Sequence, residues 1–357
     1  MSARPTPRQF EDCLVVGAVG DGLGAVVEFS SWADIQRSYG PDGLREMPAR
    51  AEFTDDTQMT LFTAEGLIRT SVRLRGKGIT SHIDVVRFAY LRWLSTQGYE
   101  VETVGGDGWL VSNLLLHRRR APGNTCLSSL ASGRHGSVEE PINDSKGCGA
   151  VMRMAPVGLW FAGEPETAYE IGCDLGAITH GHREGYQSAG ALAAIVAGLA
   201  AGQALGEAVE AAVRIAGREA RTGTVTALEA AVGFAERGSV DSDELCDRLG
   251  EGWVGEEALA LSVGCALAHP DDPLEALVMS VNHRGDSDST GAICGNLLGL
   301  THGSGWLPTS WLDRVEGIDL VRTVAADLWT EAHEPPKEPG DAYGTPAQVW
   351  FDRYPGC

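Results

Sequence analysis

"YQSAGALAAIVAGLAAGQAL", residues 186–205, decides the fold class. Its apolar residues recur at helical rather than alternating spacing, and most are alanine, glycine or leucine, so it reads as a buried helix packed closely through small residues. The same texture continues on both sides. "LGEAVEAAVRIAGREART" (205–222), "VTALEAAVGFAERG" (225–238) and "EEALALSVGCALAH" (256–269) follow at helix–turn–helix distances. "DPLEALVMSVNH" (272–283) and "SWLDRVEGIDLVRTVAADLW" (310–329) extend the pattern. Upstream, "DDTQMTLFTAEGLIRTSVRL" (55–74) and "HIDVVRFAYLRWLSTQG" (82–98) are helical as well. Alternating strand patterns are almost absent. The chain is therefore expected to be all-α, a compact bundle of about a dozen helices.

Two segments break the texture. Residues 100–150 are rich in Gly, Ser, Asn and Pro with little periodicity, a long connection of the kind that usually carries function or is disordered. The tail, 334–357, is Pro-rich yet holds Tyr343, Trp350, Phe351 and Tyr354, which predicts that it packs back on the body. With no internal repeat and no clear break, 1–357 reads as a single domain.

Composition narrows the function. The formal net charge is -21, from 28 basic and 49 acidic residues. A basic stripe for phosphate backbones is not expected, so general nucleic-acid binding and anionic membranes are poor matches. A small anionic ligand would have to be held locally, by backbone N–H groups and metal ions. The eight cysteines form no C-x-x-C pair and no zinc-type cluster with histidine, which suits a reduced, cytoplasmic protein. The apolar run at 13–20 is short and stops at Asp21, and no stretch reaches the ~20 apolar residues of a spanning helix.

Five short motifs carry chemistry. "FTDDTQM" (53–59) and "NHRGDSDST" (282–290) each place two aspartates beside hydroxyls at a helix start. Each can be read as an N-cap, since carboxylates and hydroxyls suit the positive end of the helix dipole. A cap needs only one carboxylate, however, and the dipole contributes only ~0.3–1 kcal/mol. Carboxylate plus hydroxyl oxygen is also the ligand set of hard divalent cations. If the two helix starts converge, four carboxylates with Thr54 and Ser289 make an oxygen cage. "VGAVGDGLGAVVEFS" (16–30) supplies Gly20, Asp21, Gly24 and Glu28. It follows no strand, so a dinucleotide fingerprint is unsupported, and its glycines imply close approach of a helix or a ligand. Glu28, expected eight residues into an apolar helix, is either a surface residue or a carboxylate aimed into a pocket. "NDSKGCGAVMRMAPVGLW" (143–160) offers a small-residue turn before a helix, either a plain loop or an anion nest suited to phosphates. In "ITHGHREGYQSAG" (178–190), His180 and His182 have the wrong spacing for two metal ligands on one helix face; His182 reads as structural and His180 as a hydrogen-bond partner for substrate.

Taken in order, the Glu28 motif, "TDDT", "SKGCGAVMR", "THGHREGY" and "GDSDSTGAICGN" resemble the ADP-ribosylglycohydrolase family, over residues 13 to 303 or thereabouts. That family includes dinitrogenase reductase-activating glycohydrolases and ADP-ribosylarginine hydrolases. The resemblance implies an all-α fold with a binuclear Mg²⁺ or Mn²⁺ site. By position it implies Thr54, Asp55, Asp56, Asp286, Asp288 and Ser289 as metal ligands, with Glu28 as a catalytic or gating residue. It further implies Ser145, Gly147, Cys148 and Gly149 as the diphosphate loop and His180 as a substrate contact. Ser289 stands where many members have Thr, Gly22 where Ala is common, and Arg284 where a second Gly is frequent. Cys148 replaces the Asn of many serine-specific members, which with "THGHREGY" favours an arginine-type leaving group.

The implied reaction is hydrolysis at C1″ of ADP-ribose in an ADP-ribosylated protein or small-molecule conjugate, releasing ADP-ribose. Its transition state resembles an oxocarbenium ion. The metal ions would orient the ribose, and Glu28, or one of Asp55 and Asp56, would act as general base. Two other readings share the motifs: a metal-dependent phosphate-ester or nucleotide hydrolase, and a silent ADP-ribose-binding module.

Overall fold

A computed structural model describes residues 4–101, 107–218, 220–237, 242–337 and 346–356. Among them are eighteen α-helices and no strand, only the isolated bridges Ala51–Val315 and Gly147–Val254. The longest are α1 (Pro7–Gly24), α2 (Asp55–Lys77), α3 (His82–Thr96), α4 (Pro165–Ala177), α5 (Arg183–Ala200), α6 (Gly223–Ala235), α7 (Gly255–Ala268), α8 (Ser287–His302) and α9 (Ile318–His333). The count exceeds a dozen because short helices punctuate the connections: Trp109–Ser112 and Asn124–Ala131 lie in the segment expected to be a loop. The single helix expected over 310–329 is interrupted. A short turn, Thr309–Leu312, precedes Gly317, which sits at φ 74° and opens α9. Only a residue free of Cβ adopts that conformation without strain.

The small-residue stretch is the buried core helix its texture implied. Every residue of α5 from Gln187 to Ala200 is buried. A Cβ built on Gly190 would fall 2.5 Å from Cys173 Sγ of α4, so the glycine is what lets the two axes approach.

The decisive crossing for function is α1 on α8. A Cβ on Gly20 would lie 2.0 Å from the Gly291 carbonyl oxygen, and one on Gly24 2.0 Å from that of Ser287. In return, Gly291, Gly295 and Gly299 of α8 face the backbone of Gly20, Val16 and Asp12. The ~1 kcal/mol that each helical glycine costs relative to alanine is offset by backbone-to-backbone packing. This crossing fixes the C-terminal end of α1 against the N-terminal end of α8, two segments from opposite ends of the chain.

In the tail, Trp350 Nε1 donates to Glu331 Oε2 (3.0 Å) and Tyr354 Oη to Asp327 Oδ2 (2.7 Å), and both rings are buried against α9. Tyr343 lies outside the described residues. Among the described residues no helix is long and apolar enough to cross a membrane.

Candidate active site

The first acidic motif is the start of α2. Thr54 is its N-cap, its hydroxyl accepting from Asp56 N–H (3.3 Å). The second is the start of α8, where Asp286 is the N-cap and accepts from Ser289 N–H (3.4 Å); Asp288 also accepts from that N–H (3.0 Å). The residues cap their helices, and the carboxylates of both motifs line one cavity. Glu28 is not inside a helix, contrary to expectation. α1 ends at Gly24, and Glu28 stands in the turn that follows, its N–H bonded to the Gly24 carbonyl (3.0 Å). Gly24, packed against Ser287, is the last residue of α1, and the following turn brings Glu28 to the α8 terminus. Carboxylate oxygens of Glu28, Asp286 and Asp288 lie within 4.8 Å of one another.

The spacing of the motifs assigns no role to Asp21, which the structure makes the clamp of the site. It is fully buried and accepts four hydrogen bonds: from Thr54 N–H (2.9 Å), Thr54 Oγ1 (2.9 Å), Thr57 N–H (3.0 Å) and Thr57 Oγ1 (2.5 Å). A carboxylate of α1 thus holds the first turn of α2. The signal available in the sequence was a lone acid inside the apolar run of α1.

The electrostatics are those of like charges forced together. Burial, then Asp288, pushes Asp21 up to about 7. Burial, then Asp288 and Asp55, pushes Glu28 up to about 9. Asp55, Asp56 and Asp286 are raised well above the usual carboxylate range, burial again first and neighbouring aspartates contributing. Among the described residues, none of these carboxylates, nor Asp288, has a lysine, arginine or histidine ion-pair partner. Asp55 accepts from Gly123 N–H (3.2 Å), Asp286 from the Cys148 thiol (2.7 Å), and Asp56 Oδ1 is buried with no partner at all. The two helix dipoles aimed at the cluster contribute only about 0.3–1 kcal/mol each. An orphaned buried carboxylate oxygen in an all-oxygen donor set is what a hard divalent cation fits.

A cavity of 550 Å³ opens over this cluster. Its walls include Glu28, Asp55, Asp56, Asp286, Asp288 and Ser289 together with Gly147, Cys148, Gly149 and His180, and the Cys148 thiol joins the two groups through Asp286. Thr54 and Ser145 stand outside this lining: Thr54 faces a neighbouring shallow cavity, and Ser145 Oγ pairs with Thr125 Oγ1 (2.9 Å). The glycine loop is partly committed, because Cys148 N–H donates to the Trp253 carbonyl (3.3 Å). Small size matters more at Gly149, where a Cβ would lie 2.8 Å from Cys126 Sγ, than at Gly147, where the nearest atom would be His180 Nε2 at 3.4 Å. His182 is structural, capping α5 through Glu184 N–H (3.3 Å). Arg284 points away from the cluster, to Asp247 (2.6 Å) and Glu251 (3.0 Å). Phe29, at φ 65° and exposed, stacks on Trp253 with centroids 5.4 Å apart, forming a wall that the motifs did not disclose.

This geometry can be set beside known proteins. A family model described as ADP-ribosylglycohydrolase matches residues 3–338. An ADP-ribosyl-[dinitrogen reductase] glycohydrolase of Rhodospirillum rubrum is 25% identical, over 84% of this chain and 87% of its own. ADP-ribosylhydrolase ARH3 of Gallus gallus is 23% identical, over 91% and 94% respectively. A solved structure titled "ADP-ribosylglycohydrolase-related protein complex" superposes with a TM-score of 0.64 and 23% identity, covering 91% of this chain and 98% of that one, which shows the shared fold.

Proposed function

The chain belongs to the ADP-ribosylglycohydrolase family and is a hydrolase of that kind, and from this premise we propose that it is a divalent-cation-dependent enzyme that cleaves the C1″ bond of ADP-ribosylated conjugates, with arginine as the leaving group. The observation that carries the cation dependence is the cluster of five buried aspartates and half-buried Glu28, without an ion-pair partner among the described residues and one of them with an orphaned oxygen.

Asp55, Asp56, Asp286 and Asp288, with the hydroxyls of Thr54 and Ser289, would hold two Mg²⁺ or Mn²⁺ ions. When bound, these supply the positive charge that neutralises the cage and a Lewis-acid contact for ribose hydroxyls. Asp21 acts indirectly, fixing the first turn of α2 through its four hydrogen bonds. Glu28 is half-buried where Asp55 and Asp56, which line the same cavity, are buried, and its greater exposure supports it as the base that takes the proton of the attacking water. Its proximity to Asp286 and Asp288 also makes it a potential ligand. The glycine loop with His180 lines the same cavity as the acids and would seat the diphosphate, so that binding energy remote from the bond orients the ribose. The packing of the tail on α9 supports a single domain spanning 1–357, and the free thiols of Cys13, Cys126, Cys148, Cys173, Cys265 and Cys294 support a cytoplasmic protein. The partners are then an ADP-ribosylated protein or small molecule, with ADP-ribose as product.

The test is release of ADP-ribose from defined conjugates of arginine, serine and acetate, alongside a generic phosphomonoester, with and without Mg²⁺ or Mn²⁺. Turnover of the arginine conjugate only with cation is expected. Turnover of the phosphomonoester instead would move the protein to the phosphatase reading. Tight ADP-ribose binding without any release would make it a binding module.

A further inference from the structure

Beneath the cavity wall lies a guanidinium that the proposed reaction does not use. Arg153 is completely buried, yet among the described residues no carboxylate pairs with it. Its contacts are Thr179 Oγ1 (2.7 Å), Cys126 Sγ (3.3 Å), Met59 Sδ (3.4 Å) and the face of Tyr90, 4.3 Å from the ring centre; its Nε has no partner. A buried cation without an anion is costly, which points to compensation from outside the polypeptide.

The hydrogen-bond directions follow from chemistry alone. A guanidinium only donates, so Thr179 Oγ1 accepts from it. The hydroxyl has one hydrogen of its own, and His180 Nδ1 lies 2.8 Å away. The Thr179 carbonyl is already occupied by Ser129 Oγ (2.9 Å) and Asn143 Nδ2 (2.8 Å), which hold this turn in place. The other ring nitrogen, Nε2, faces Gly147 and Gly149, 3.4 Å from where either would carry a Cβ.

We propose that Arg153 and Thr179 are positioning residues for His180: Arg153 donates to the Thr179 hydroxyl, the hydroxyl donates to Nδ1, and the imidazole is thereby held as the tautomer that presents Nε2–H to an anionic group of the ligand over the glycine loop. The ligand's charge then serves as the missing counter-charge, one side-chain layer from the guanidinium. Burial and Arg153 together push His180 down to about 3, so the ring stays neutral and donates through one defined N–H. The identity of the anion as a diphosphate rests on the function proposed above; the relay itself does not.

The experiment compares full-length parental protein with Thr179→Val and Thr179→Ser, in the presence of divalent cation. Ring-nitrogen NMR shifts of histidine-labelled protein report the His180 tautomer, and calorimetry reports affinity for ADP-ribose. Parental and Thr179→Ser proteins should show Nε2–H. Thr179→Val, close to isosteric, should lose that single tautomer and bind ADP-ribose about 10- to 100-fold more weakly. A parental protein with the proton on Nδ1, or a valine variant that keeps both tautomer and affinity, overturns the relay. If the parental protein does not bind ADP-ribose, the proposed function fails instead, and the tautomer comparison still decides the relay.

Discussion

Two buried charge clusters in this molecule solve opposite problems. Between α2 and α3, Glu65 accepts from Arg92 through Nε (3.1 Å) and Nη2 (3.0 Å), while Arg69 lies 3.8 Å from the other Glu65 oxygen and pairs with Asp107 (3.0 Å). All but Asp107 are almost wholly buried. Two acids and two bases are matched in charge, although Glu65 Oε1 itself accepts no hydrogen bond. At the mouth of α2 and α8, five buried aspartates and half-buried Glu28 meet with no base among them in the described residues. The first cluster is architecture. The second is a deficit of positive charge, which supports the proposed cation site.

That difference can be tested by removing charge from each. Arg92→Met leaves Glu65 short of its bidentate partner, and breaking a buried pair costs about 3–5 kcal/mol. A large fall in thermal midpoint is expected, with activity per folded molecule unchanged. A midpoint near the parental value would mean that the matched cluster is not what it appears from its geometry.

Metal should have the next largest effect. In chelated protein, each raised carboxyl contributes stability that is present below about pH 4 and is lost as pH rises through its folded value. Asp21 at about 7 and Glu28 at about 9 place that loss between mildly acidic and alkaline pH. Divalent cation at a hundred times its dissociation constant should restore about 2.7 kcal/mol. Because protons and metal compete for the same oxygens, the metal-induced rise in midpoint should be larger at pH 8 than at pH 6, in scanning calorimetry. A shift that shrinks with pH would contradict a carboxylate cage.

Asp286→Asn carries the sharpest contrast, because its sign reverses. Asparagine keeps the N-cap of α8 but removes one of the crowded charges. Chelated protein should become more stable, on the order of 1 kcal/mol, while cation binding and hydrolysis fall together. Destabilisation with hydrolysis intact would place Asp286 among structural caps only. The smallest effect is expected for the double replacement Arg92→Met with Glu65→Leu. Exchanging both partners of a buried pair for apolar groups is close to neutral, within about 1 kcal/mol, as measured by denaturant titration. A double variant as unstable as Arg92→Met alone would show that the arginine matters by packing rather than by charge.

Much of this was legible in the sequence because it is local. The helical class followed from apolar periodicity, and α5 emerged as the close-packed helix that its alanines and glycines implied. Thr54 and Asp286 are the caps that their positions before helical runs suggested. The break before α9 was missed because a continuous apolar pattern hides a single left-handed glycine, Gly317. Residues 25–29 are apolar enough to continue a helix, so the pattern hides the turn that carries Glu28.

The sequence by itself determined the helices, their caps and which residue types could ligate, since backbone periodicity and capping depend on neighbours within one turn. Tertiary structure alone decided that the two acidic helix starts meet, that Asp21 clamps one of them, and that Arg153 lies under His180 with no carboxylate partner among the described residues. The physical reason is that burial and charge pairing are properties of a place in space: a carboxylate's proton affinity is set by what the fold brings beside it.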